Sequence, residues 1–146
     1  MADLSVFATQ EKSDEGVWFP VKLYGQKIPI ALLIYGDDSD VVQKYNRDRL
    51  RKMKINSNGN TEMNEEMIEE LLDSADDAVV VRIGGISSYD WKKGENINEP
   101  IELNGKTIQS DKRSIKYLIE QIPAIKQFVN EKSNERQNFL ASGKKN

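Results

Sequence analysis

The sequence predicts an α+β fold: an N-terminal antiparallel β-hairpin packed on three to four helices, with a short later strand as a candidate addition. Three observations carry this. Two runs rich in β-branched and aromatic residues, 17–24 and 28–36, flank a short glycine-containing turn. Apolar residues recur at three- and four-residue steps across 64–82, and again between Ile115 and Val129. The chain has 146 residues, 38% hydrophobic and 31% charged, and a mean hydropathy of -0.65, which suits one domain with a modest core. That domain is expected over 16–140, between a mobile N-terminal arm, 1–15, and a frayed C-terminal tail, 141–146.

The arm is read from its polar, acidic and aperiodic composition. In the hairpin, Pro20 and Pro29 each remove a ladder donor and so belong at outward or edge positions. The second run is apolar almost throughout, which implies cover on both faces. Asp37-Asp38-Ser39-Asp40 then supplies acids and a hydroxyl suited to capping a first helical turn. Val41, Val42, Tyr45, Leu50 and Met53 give the helix that follows an imperfect apolar stripe. Residues 57–60 read as a loop, and 64–82 as the cleanest helix, with Met67, Ile68, Leu71, Leu72, Ala75, Ala78 and Val79 on one face. Gly84-Gly85 stops it, residues 80–83 fit a helix end or a strand, and 86–110 are turn-rich. Asn104-Gly105 marks a small hairpin. Ser110 or Asp111 caps a helix carrying Ile115, Leu118, Ile119 and Ile122. Pro123 opens another, with Ile125, Phe128 and Val129.

The composition excludes whole classes of chemistry. With neither histidine nor cysteine, the chain has no His-based triad, no thiol nucleophile, no disulfide framework and no His/Cys zinc site. No apolar run reaches the roughly 18 residues of a membrane span, and Met1-Ala2-Asp3-Leu4 lacks the features of a signal peptide. The expectation is a soluble cytoplasmic protein that binds rather than catalyses, with no cofactor, no metal and no membrane contact. The formal charge of -3 conceals alternating blocks: -4 over 1–43, +5 over 44–54, -8 over 55–81, -1 over 82–105 and +5 over 106–146. Such blocks read first as segments that neutralise one another internally, and second as the mark of a charged partner.

Local motifs give few chemical handles. Gly105-Lys106-Thr107 ends like a phosphate-binding loop, but Pro100 stands where its first glycine belongs. Asp37-Asp38-Ser39-Asp40 lacks the glycine and the distal glutamate of a calcium loop. Glu65, Glu66, Glu69, Glu70 and Asp73 lie opposite an apolar stripe and read as a solvated face. The basic run from Lys44 to Lys54 has Tyr45 as its one aromatic and an acidic segment behind it, which argues against nucleic acid as a partner. Trp18, Phe19 and Trp91 could anchor a partner, although in a small domain such side chains are more often core. Trp18 is expected to be largely buried.

The order of these parts resembles the tail assembly chaperones of long-tailed bacteriophages and prophages. A Trp-containing hairpin ends in Gly36-Asp37-Asp38-Ser39, which matches a Gly-x-Asp-Ser that opens a basic helix. A core helix, a glycine-containing turn segment with Asn104-Gly105, and a Leu/Ile-rich helix leading to Pro123 follow. A last helix carries Phe128 and closes on Asn138-Phe139-Leu140. The likeness spans most of 16–140 and departs from the family where Gly84-Gly85 replaces a Gly-Trp pair, the tryptophan coming later at Trp91.

The resemblance implies a non-catalytic assembly factor of the host cytoplasm, absent from the mature virion. It would bind the tape measure protein, keep it soluble and help recruit tail tube protein. A frameshifted longer form of the chain is a further implied partner. The candidate partner-binding residues are Trp18, Phe19 and Tyr24 on the hairpin, Arg47, Arg49 and Arg51 on the basic helix, and Phe128 and Phe139 near the C-terminus. The alternatives are a structural subunit of the tail, as tube or connector component, and a nucleic-acid-binding regulator.

Overall fold

The computed structural model describes residues 2–56 and 75–141. At its centre is an antiparallel sheet of four strands in sequence order: Val17–Leu23 (β1), Gln26–Ile34 (β2), Ile83–Asp90 (β3) and Glu95–Asn96 (β4). A separate two-stranded hairpin is formed by Glu102–Leu103 (β5) and Lys106–Thr107 (β6). The helices are Gln10–Glu15 (α1), Asp40–Asn56 (α2), residues 75–80 (α3), Lys112–Gln121 (α4) and Ala124–Asn134 (α5). Short 3-10 turns lie at Ser5–Phe7 and Arg136–Phe139. The fold is α+β and begins its sheet with the expected antiparallel hairpin. The loop at 57–60, the first part of the helix expected over 64–82 (with Met67, Ile68, Leu71, Leu72 and the acidic positions Glu65, Glu66, Glu69, Glu70 and Asp73) and the tail at 142–146 lie outside the described residues.

The register accommodates both prolines. β1 pairs with β2 from Val17 opposite Ile34 to Pro20 opposite Ala31, then shifts, so that Lys22 faces Lys27 and Leu23 faces Gln26. Pro20 thus sits in an edge strand, and Pro29 falls at the shift, paired with neither neighbouring strand. On one face of the sheet, Val21, Ile30, Leu32, Ile34 and Ile86 are buried. They pack against Ile115, Leu118 and Ile119 of α4 and Ile125, Phe128 and Val129 of α5. Each such side chain contributes about 1.5–3 kcal/mol by leaving water. Asp111 caps α4, its carboxylate accepting the Ser114 N–H at 2.8 Å, and Pro123 precedes α5 with φ -59°.

Two expectations are corrected. Residues 84–90, read as a helix stop and turns, form a full strand with Ile83, which fitted either a helix end or a strand, and pair with β2. Its two glycines and two serines weaken the usual strand signal. Tyr24, placed at the end of a strand, occupies the turn instead, with φ 54°. Part of the N-terminal segment over 1–15 contacts the domain. Gln10–Glu15 is helical with Ser13 buried, Gly36 N–H donates to Ser13 O at 3.2 Å, and Ala141 N–H donates to Ala8 O at 2.9 Å. That docking runs through backbone and hydroxyl groups, so no apolar periodicity announces it.

Candidate partner-binding face

The face of the sheet opposite α4 and α5 is built on glycine. Trp18 is 42% exposed, contrary to the expectation that it is largely buried. Strand alternation explains this. Phe19 and Val21 turn toward the helices, and Trp18 turns away with its register partner Leu33 and with Gly85 opposite Leu33. A β-carbon on Gly85 would stand 3.4 Å from Trp18 Cη2 and 3.8 Å from Leu33 Cβ. One on Gly84 would stand 2.6 Å from the Tyr35 hydroxyl oxygen. One on Gly16 would stand 3.0 Å from Leu33 Cδ1 and 3.2 Å from Tyr35 Cδ1. The side chains of Trp18, Leu33 and Tyr35 therefore rest on positions that carry none, and form a low apolar surface over the sheet.

A cleft of about 360 Å³ adjoins this surface, its floor running from Ile86 to Ser88 and its walls from residues 98–101 and 107–110. Ser110 links the two, since its Oγ would stand 3.6 Å from a β-carbon on Gly85. Beyond its pairing with β4 at Tyr89 and Asp90, β3 has no strand on this edge among the described residues. The Ser110 hydroxyl takes a strand's place. It accepts the Ile86 N–H at 3.0 Å and donates to Ile86 O at 3.2 Å. Next along β3, Ile97 N–H donates to Ser88 O at 3.0 Å and Glu99 N–H to Ser88 Oγ at 2.6 Å. Ile86, Pro100, Ile101 and Ile108 give the cleft apolar surface, while Asn98, Thr107 and Gln109 give it polar groups. Such a lining suits a short amphipathic segment.

The sequence-named residues do not converge on this face, apart from Trp18. Phe19, Phe128 and Phe139 come together on the other side. Phe19 meets Phe139 edge-on, with centroids 6.3 Å apart, and Lys132 Nζ lies 5.7 Å from the Phe19 centroid and 5.6 Å from that of Phe128. Phe139 is 1% exposed and Phe128 is buried, so the expected C-terminal partner surface is core at these two residues. Tyr24 stands alone at the hairpin turn. On α2, Arg47 and Arg51 are exposed and Arg49 is half-buried. Burial pushes the Tyr45 phenol above its ordinary range, with Asp77 adding to the effect and Arg49 and Arg82 opposing it. Leu33, Gly85 and Ser110 are not among the partner-binding candidates that the sequence offers. The signal available was Gly84-Gly85, which reads as a helix stop until a strand is paired beside it.

The Gly36-Asp37-Asp38-Ser39 motif forms a structural junction. Asp37 accepts Arg82 Nε–H at 2.9 Å and the Ser133 hydroxyl at 2.7 Å. Asp38 accepts the Thr9 hydroxyl at 2.5 Å and the Arg136 guanidinium at 3.0 Å. These bonds, Arg136 first and Thr9 second, hold the Asp38 carboxyl below the usual carboxylate range. Ser39 Oγ accepts the Val42 N–H at 3.3 Å, the bond of an N-cap on α2. Part of the charge-block pattern is also internal, through Lys126 with Asp76 at 2.8 Å and Lys116 with Asp77 at 3.8 Å.

Among the described residues, no group of three acidic side chains is placed to hold a metal, and no helix is long and apolar enough to cross a membrane. In comparison with known proteins, no family model, no curated protein and no solved structure matches this chain.

Proposed function

We propose that this protein is a non-catalytic tail assembly chaperone, which holds an extended amphipathic segment of the tape measure protein and keeps it soluble. The observation that carries the reading is the 42% exposed Trp18, seated over Gly85 beside the open cleft along β3. An apolar client stripe of a long helical protein aggregates when left bare. A half-exposed tryptophan on a rigid sheet is the type of anchor that concentrates binding energy. On this reading the protein works in the host cytoplasm, helps recruit tail tube protein, and is left out of the mature virion. The family likeness in the order of parts supports the client's identity, and a frameshifted longer form of the chain would share the same face.

The test is an affinity capture of the tagged protein from cells expressing its native gene cluster, read by mass spectrometry. Wild type is expected to retain a very long helical protein encoded nearby. Trp18→Ser is expected to weaken that retention about thirtyfold, the equivalent of one interface hot spot. A melting curve close to wild type would show that the variant is folded. Recovery of this protein in purified particles would replace the chaperone with a structural tail subunit. Recovery of DNA or RNA, lost steeply as salt rises, would favour the regulator instead.

A further inference from the structure

A second surface lies at the end of the sheet away from the Gly36 junction, where the β1–β2 turn meets the β3–β4 turn. Two contacts join them. Trp91 Nε1–H donates to Ile28 O at 2.7 Å, and Lys27 Nζ lies 5.5 Å from the centroid of the Trp91 ring. Tyr89 packs edge-on against Trp91 at 5.3 Å. Around this joint stand Lys22, Lys27, Lys92 and Lys93, all exposed. None of the four forms an ion pair among the described residues. Asp90 is spent on the turn, accepting the backbone N–H groups of Lys92 at 2.9 Å and Lys93 at 3.2 Å.

Two features of this end work against folding. Lys22 and Lys27 are register partners, and like charges directly opposite each other on a strand pair are destabilising. Tyr24 has φ 54° in a two-residue turn with Gly25, whose φ is 75°. This is a type I′ turn, where asparagine, aspartate or glycine is preferred at the first position. Among the described residues, the other non-glycines at positive φ are Asn98 and Asn104. The chain supplies its own control in Asn104-Gly105, which turns with φ 54° and 80° between Leu103 and Lys106. There the asparagine suits the backbone, and its amide reaches the Tyr117 hydroxyl at 3.2 Å and Gln121 Oε1 at 3.1 Å. Tyr24 suits neither the turn nor the core, being 85% exposed. An exposed aromatic kept in a disfavoured conformation, beside cations that have no ion pair among the described residues, points to a ligand.

We infer that the tip formed by Tyr24, Lys22, Lys27 and the Trp91-Lys92-Lys93 turn docks an acidic polypeptide segment of a partner protein, its carboxylates on the lysines and an apolar side chain against Tyr24. A protein segment fits this tip better than a nucleic acid strand. The positive charge is confined to two turns on a chain of net charge -3, whereas a phosphate backbone needs cations along its length. Tyr24 is the one strongly exposed ring here, since Trp91 is engaged by Ile28 O, Lys27 and Tyr89, and serial stacking of bases needs several. The tip is separate from the Trp18 face, and its occupant does not depend on the identity of the client held there.

The experiment is fluorescence anisotropy with the intact protein and three labelled probes: a short Asp/Glu-rich peptide carrying one leucine, its Asn/Gln counterpart, and oligodeoxythymidine of equal length. The acidic peptide is expected to bind most tightly, with affinity falling as salt rises. Lys92→Glu with Lys93→Glu, and separately Tyr24→Ser, should each weaken it about tenfold or more. Trp18→Ser should leave it unchanged. Failure of the acidic peptide to bind overturns the inference, as does equal binding of the neutral peptide or tighter binding of the oligonucleotide. So does sedimentation showing that the lysine substitutions dissolve a dimer, because the occupant would then be a second copy of this chain.

Discussion

The two ends of strand β2 are built to opposite rules. Past its C-terminal end, the segment Gly36 to Ser39 gathers Thr9, Arg82, Ser133 and Arg136 around two carboxylates, and joins α1, α2, α5 and the turn that follows α3. Around its N-terminal end, Tyr24 in a strained turn and four lysines stand with no ion pair among the described residues. A charge that satisfies another part of the chain is accounted for by folding. One that repels its neighbour is not accounted for by the fold of the described residues. The contrast separates the chain's structural charges from those available for binding, and each substitution below is chosen to move one end without the other.

The largest effect is expected at Asp37. Replacing it with alanine takes the carboxylate from Arg82, whose side chain is 14% exposed and keeps its bond to Ala78 O, and leaves the buried Ser133 hydroxyl to Tyr35 O. Leaving a mostly buried guanidinium without its carboxylate costs more than the pair contributes, so Asp37→Ala should lose about 2–3 kcal/mol in urea denaturation. Asp37→Asn keeps an acceptor for Ser133 and should lose about half as much. If both variants melt like wild type, the junction is decoration and the contrast fails. Of the opposite sign is Tyr24→Asn, which should gain about 0.5–1 kcal/mol by relieving the left-handed strain while it weakens the acidic peptide. A stabilised protein that binds less well is what a residue retained for a partner predicts.

How much of this was legible in the sequence depended on which physical signal each part sends. The hairpin, α4 and α5 announced themselves, because Ile115, Leu118, Ile119, Ile125, Phe128 and Val129 bury an apolar stripe at helical spacing. Strand β3 did not. Gly84 and Gly85 are there to seat Tyr35, Leu33 and Trp18, and Ser88 and Ile86 bond to the cleft wall, so the strand carries the composition of a turn. The same blind spot misplaced Trp18: without β3, no glycine lay beneath it and the core was its natural destination. Phe128 and Phe139 erred the other way, since an aromatic stripe looks alike whether it meets a partner or Phe19. Tyr24 was picked out as an aromatic, but its significance needed the dihedral angle that only the fold supplies.

The smallest expected effect tests the junction through pH. The Arg136 guanidinium, followed by the Thr9 hydroxyl, holds the Asp38 carboxyl below its ordinary range. A carboxylate whose folded pKa is depressed stabilises the fold fully above its unfolded value, about 3.9, and loses that contribution as pH falls through the folded value. The same pair raises Arg136, which stays charged throughout that window. Arg136→Gln should therefore lower the urea midpoint slightly near neutral pH, Arg136 being well exposed. The gap from wild type should hold down to about pH 4 and close below it, where Asp38 takes up its proton in both proteins. Lys22→Glu at the other end should raise the midpoint by converting a repelling register pair into an attracting one, and added salt should shrink that gain. If the Arg136→Gln gap stays constant below about pH 4, Asp38 is not the group through which Arg136 acts. The two ends would then differ in exposure alone and not in how their charges are used.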